Sequence, residues 1–111
     1  MASDGAFRCE VEHLPEDENG NKVVKVLCHG RLIAENATQV KDTVRPLLEA
    51  HGRIIVDLGD VSYLDSSGLG ALVGLKVSAL KQGLCILEFE NMTPRVMELL
   101  KLSNLTKILS S

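Results

Sequence analysis

The sequence predicts an α/β fold: a mixed β-sheet of four to five strands with helices packed on it, in the order β-β-α-β-α-β-α. Three observations carry that expectation. Two alternating segments flank a polar turn near the N-terminus, which is the pattern of an antiparallel hairpin. Two later apolar, strand-like runs are separated by a helical stretch, so they are expected to run parallel through a crossover. The 111 residues fit one compact domain, expected to span residues 1–111.

Each element has its own local signal. Residues 7 to 13 alternate, with Phe7, Cys9 and Val11 on one side and Arg8, Glu10 and Glu12 on the other, so they read as a half-buried strand. Residues 15 to 21 form a polar turn containing Asn19-Gly20. Lys22 to His29 is the second strand, with Val24, Val26 and Cys28 on one face and Gly30 as its expected end. Asn36 is placed as a helix N-cap with Gln39 as its capping-box partner. Val40, Val44, Leu47 and Leu48 then form an apolar stripe running to about His51. Pro46 lies inside that stripe and lacks a backbone donor, so a kink or an early end is expected there.

Arg53 to Leu58 contains Ile54, Ile55 and Val56 in a row, which predicts a central strand covered on both faces. A helix from about Ser66 to Gln82 follows, with Gly83 as its expected stop. Leu84 to Phe89 is the fourth strand, and Thr93-Pro94 opens the last helix, with Thr93 as cap and Pro94 in the first turn. Val96, Leu99 and Leu100 supply that helix's apolar stripe, and Leu105, Ile108 and Leu109 fit a short edge strand.

Composition excludes several functions. A formal net charge of -3, with no Lys/Arg cluster, argues against nucleic acid or an anionic membrane surface as partner. One Tyr, two Phe and no Trp are too few for a base-stacking platform. No apolar run approaches the roughly 20 residues that span a bilayer, and residues 1 to 5 do not read as a signal peptide. Cys9, Cys28 and Cys85 are an odd set in apolar runs, read as reduced, buried thiols of a cytoplasmic protein. His13, His29 and His51 are scattered and predict no metal site, and no cofactor is expected.

The informative segment is the turn after the central strand, Asp65-Ser66-Ser67-Gly68-Leu69-Gly70. Open α/β sheets bind ligands beyond the carboxyl ends of their strands. Asp65, Ser66 and Ser67 are all good N-caps, and capping alone accounts for two of the three. Ser66 offers more: a hydroxyl at a helix start, where first-turn N–H groups and the helix dipole favour a phosphate. In the helix that follows, Leu69, Leu72, Val73 and Leu80 give an apolar side, while Ser67, Gly70 or Ala71, Gly74 and Ser78 give a small one. Interior glycines cost about 1 kcal/mol each relative to alanine. Two explanations stand: close packing of the small side on the domain's own sheet, or a flat face for a partner.

Enzyme motifs fail on spacing. The third glycine of Gly68-x-Gly70-x-x-x-Gly74 comes one place late for a dinucleotide fingerprint. Leu64 and Asp65 stand where a nucleophile elbow needs glycine, and Lys76 is mid-helix, not in a P-loop.

The run from Asp57 to Gly70 resembles the signature of the STAS family, and is most similar to the bacterial anti-sigma factor antagonists, with a looser match over about residues 7–109. That resemblance implies a non-enzymatic, cytoplasmic partner-switching protein. In its unphosphorylated form it binds an anti-sigma factor that is also a serine kinase, and so releases the sigma factor. The kinase phosphorylates the serine after the Asp, here Ser66, and the complex separates; a metal-dependent serine phosphatase resets it. Asp65, Ser67 and Gly68 shape the turn, and Leu69 and Gly70 join the docking surface. Two departures stand out: Ile33 replaces the acidic residue that many relatives carry in Gly30-Arg-Leu-Ile33, and the sequence stops at Ser111 where relatives often add a helix. The alternatives are an unmodified STAS subunit of a larger assembly, such as a transporter accessory or scaffold, and a nucleotide-binding domain.

Overall fold

A computed structural model of the chain describes residues 7–50, 52–83 and 85–102. The elements run β1 (Arg8–Leu14), β2 (Val23–Leu32), α1 (Ala37–Ala50), β3 (Arg53–Leu64), α2 (Ser66–Gln82), β4 (Ile86–Glu90) and α3 (Pro94–Leu102). This is the expected order. The four strands form one mixed sheet in the spatial order β1-β2-β3-β4. β1 pairs antiparallel with β2, and β2–β3 and β3–β4 are parallel. The segment around Leu105, Ile108 and Leu109 lies outside the described residues.

The hairpin turn is built on Asp17. Its carboxylate accepts the N–H groups of Asn19 and Asn21, both at 2.9 Å, and Gly20 takes φ +79. These bonds hold the Asp17 carboxyl below its usual range, the Asn21 N–H contributing most. β1 is an edge strand, and its alternation is only partly realised: Phe7 is buried and Cys9 half-buried, but Val11 is 43% exposed. In β2, Val24, Val26 and Cys28 are buried as expected.

Both β2 and β3 run further than their local sequence suggests. Gly30 does not end β2; it adopts φ +99 within the strand, beside register shifts at Leu27/His29 and Gly30/Arg31. β3 continues from Leu58 to Leu64, where Leu64 stands opposite Leu32. Each shift gives β3 one extra residue relative to β2, the arrangement of a β-bulge. Pairing with a distant strand thus carries a Gly/Asp/Ser-containing stretch that has poor strand propensity of its own.

The core joins Val24, Val26, Cys28, Ile54, Val56, Leu58 and Leu87 of the sheet to Val40, Val44 and Leu48 of α1, Leu72 and Leu75 of α2, and Val96 of α3. Ile55 is buried on the sheet's other face, flanked in register by Lys25 and Glu88. Those long stems shield it. The same face carries ion pairs, Arg53 to Glu88 at 2.6 Å and Lys25 to Asp57 and Glu90, each at 3.5 Å.

Helix ends follow mostly local rules. Asn36 does precede α1, but the capping box does not form. The Asn36 side chain turns back, accepting from the Ile33 N–H at 2.8 Å and donating to the Arg31 carbonyl, while its own N–H goes to the Ile33 carbonyl. Pro46 does not end α1, which continues to Ala50. Its ring lies on the exposed face. Gly83 closes α2 in the left-handed region at φ +74, and the Thr93 hydroxyl accepts from the Val96 N–H at 3.3 Å. Lys76 is buried in α2, donating to the Leu87 carbonyl at 2.6 Å.

Candidate functional site

The carboxyl ends of the parallel strands β2 and β3 meet the start of α2, and every feature of the turn follows from that meeting. Asp65 is the N-cap: one carboxylate oxygen accepts the Gly68 N–H at 2.9 Å, and its backbone carbonyl accepts from Leu69. The other oxygen reaches across to the Ala34 N–H at 3.1 Å, so Asp65 ties α2 to the turn that leaves β2. Its own N–H donates to the Leu32 carbonyl at 3.3 Å. The Gly68 N–H, with smaller help from Ala34 and Ser67, holds the Asp65 carboxyl below the usual carboxylate range.

Ser66 is the first residue of α2 and is exposed. Among the described residues, none hydrogen-bonds its hydroxyl. Of the first-turn N–H groups, that of Gly68 is taken by the Asp65 carboxylate. A group attached to Ser66 would stand beside an ionised carboxylate and face solvent.

The glycines divide by role. Gly68 is buried, and a Cβ there would lie 2.3 Å from the Leu32 carbonyl oxygen and 2.9 Å from side-chain atoms of Leu32 and Leu64. Its missing side chain therefore permits the close seating of α2 on the ends of β2 and β3. Gly70 and Gly74 are exposed, and a Cβ at either would meet nothing within 4 Å. Packing of the small side against the domain's own sheet is thereby overturned; that side faces outward. The sides of the helix are also not divided as the periodicity suggested. Leu69, Ala71, Leu72, Leu75 and Ala79 are buried, while Leu80 is 61% and Val77 38% exposed, next to Gly70 and Gly74 on the outer surface.

Two residues join this end of the molecule that the sequence did not single out. Arg31 and Tyr63 stand opposite each other in register, with the guanidinium 5.8 Å from the ring centroid. The only hint of this was Gly30-Arg-Leu-Ile33, where Ile33 is half-buried and bonded to Asn36. Beside them is an open groove of about 290 Å³, lined by Tyr63, Leu64, Arg95, Glu98 and Leu99. Among the described residues, its lining has no Ser, His or Cys to serve as a nucleophile. Among the described residues there is no cluster of metal-ligating side chains and no helix long and apolar enough to cross a membrane.

Comparison with known proteins places this arrangement. The family model described as "Mlab, STAS domain" matches residues 16–110. The chain belongs to the STAS family. Within it, the chain is 33% identical over 86 residues to the anti-sigma-B factor antagonist of Bacillus subtilis, covering 78% of each sequence, and so falls among the anti-sigma factor antagonists. The STAS fold is shared with a crystal structure of an anti-sigma factor antagonist from Mycobacterium paratuberculosis, at TM-score 0.72 and 18% identity, covering 96% of this chain and 86% of that one. It is shared too with the Bacillus cell fate determinant SpoIIAA in its phosphorylated form, at TM-score 0.65 and 21% identity, covering 92% and 86%.

Proposed function

We propose that this STAS protein is a cytoplasmic, non-enzymatic partner switch. Unphosphorylated, it binds an anti-sigma factor that is also a serine kinase and so frees the sigma factor. Phosphorylation of Ser66 releases the kinase, and a metal-dependent serine phosphatase restores binding. The supporting observation is the exposed, unbonded Ser66 hydroxyl at the start of α2, bordered by the outward-facing Gly70 and Gly74. Phosphorylation adds roughly two negative charges. The Asp65 carboxylate next to it, bonded to Gly68, adds to that charge, and the charge remains presented to the approaching partner. The domain keeps its fold because the phosphate stays in water. A partner pressed against the helix must desolvate it next to a carboxylate, and affinity falls.

Under this reading Asp65, Ser67 and Gly68 shape the turn, and Leu69 and Gly70 belong to the docking region. Leu69 is buried and acts there by seating the helix. The test is incubation with the cognate anti-sigma factor kinase and ATP, followed by phosphate mapping. Phosphate on Ser66 is expected, with Ser66→Ala still binding the kinase and Ser66→Asp binding it more weakly. Absence of phosphate on Ser66, or equal affinity of both variants, overturns the switch. Co-purification with a transporter complex in place of a kinase would indicate the subunit role instead.

A further inference from the structure

Cys9 and Cys28 lie far apart in the sequence, but the hairpin sets them directly opposite each other as Cα partners on β1 and β2. Opposed residues of an antiparallel pair share a face, with Cα atoms about 4.5 or about 5.5 Å apart depending on the pair type. Both spacings fall within the roughly 4.4–6.8 Å that a disulfide spans, so neither strand has to move far. The two thiols are free. Cys28 is 1% exposed, whereas Cys9, on the edge strand, is half-buried.

We infer that Cys9 and Cys28 form a reversible cross-strand disulfide when the protein meets a low-molecular-weight disulfide such as oxidised glutathione, with Cys9 as the attacking thiol and Cys28 as the resolving one. The electrostatics agree with that assignment. The Cys28 thiol, with Thr43 and His29, draws the Cys9 thiol below its ordinary value against the effect of burial, while the Cys9 contact and burial push the Cys28 thiol up. The thiolate is the nucleophile in such exchange. The Cys9 thiol gives its proton to water, and the thiolate attacks one sulfur of oxidised glutathione. The Cys9–glutathione bond forms, the glutathione S–S bond breaks, and one glutathione leaves and takes up a proton. Cys28, deprotonated in turn, attacks the Cys9 sulfur and expels the second glutathione. Two cysteine thiols are oxidised to one disulfide, and one glutathione disulfide is reduced to two thiols. Cys85 is buried, burial raises its thiol, and it has no thiol partner among the described residues, so it stays reduced. The disulfide would staple the edge strand β1 to β2, independently of Ser66.

The test treats the folded full chain with oxidised glutathione, quenches with acid, then unfolds and alkylates it with N-ethylmaleimide. The number of labelled thiols is expected to fall from three to one, the one being Cys85, with a peptide map linking the Cys9 and Cys28 segments. The oxidised protein should melt at a higher temperature than the reduced one. Cys28→Ser should stop at a glutathione adduct on Cys9, and Cys9→Ser should remain unmodified. The peptide map of the unmutated chain needs no variant to fold. Three labelled thiols, a persistent glutathione adduct on the unmutated chain, or a disulfide involving Cys85 would each overturn the inference.

Discussion

Helix α2 has two kinds of glycine, and they teach opposite lessons about why glycine stands in a helix. Gly68 lies under the Leu32 carbonyl, where no Cβ fits. Gly70 and Gly74, further along the helix, have empty space where a side chain would go. The first is required by the fold. The other two lower helix propensity with no packing among the described residues to offset the loss. Under the proposed function, a partner that approaches this face closely accounts for them.

The comparison can be broken from its strongest side first. Gly68→Ala places a Cβ 2.3 Å from a backbone oxygen that cannot rotate away, so α2 must shift off the strand ends. The expected loss is at the upper end of the about 1–3 kcal/mol that overpacking costs, read as a lower urea midpoint with unchanged slope. A stability equal to the parent's would show that the seating is loose. Gly70→Ala and Gly74→Ala should instead stabilise the isolated domain by about 0.5–1 kcal/mol each. The same pair should weaken binding to the anti-sigma factor kinase by about tenfold, or about 1.4 kcal/mol. Stabilisation without loss of binding would remove the partner from the account of these glycines.

The cap between the two regions gives the finer tests. Asp65→Ala removes the bonds to Gly68 and Ala34, and is expected to lower the urea midpoint by less than Gly68→Ala does. pH probes the same bonds. Asp65 and Asp17 are held below the usual carboxylate value chiefly by the Gly68 and Asn21 N–H groups. At Asp57, burial pushes up, but the Gly59 N–H, Asn91 and Lys25 together bring it down. In all three the unfolded chain binds protons more readily than the native one. Their stabilising effect is therefore complete above about pH 4, the unfolded value for Asp, and is lost as pH falls through the lower native values. Unfolding midpoints between pH 6 and pH 2 should fall in that window, with a smaller drop in Asp65→Ala.

Local signals were legible wherever a residue and its near neighbours decide the outcome. Gly83 closing α2, Thr93 and Pro94 opening α3, Asp65 before Ser66, and the Asn19-Gly20 turn all depend on bonds within a few residues. Asn36 shows where such reasoning ends: its position before α1 follows from the sequence, but its side chain bonds backward because the end of β2 offers it a carbonyl and an N–H. Pro46 breaks no helix because its ring falls on the solvent side, a fact of packing. Gly30 and residues 59–64 remain in strands because distant partners pair with them.

The order of elements, the mixed sheet and the exposed serine at a helix start were written in the linear pattern, because periodicity and caps act over a few residues. Which glycines are filled against and which are open, how Asp65 reaches Ala34, and the meeting of Cys9 with Cys28 were decided only when separate segments came together. Such contacts are set by register and close packing between elements, and register between distant strands has no local signature.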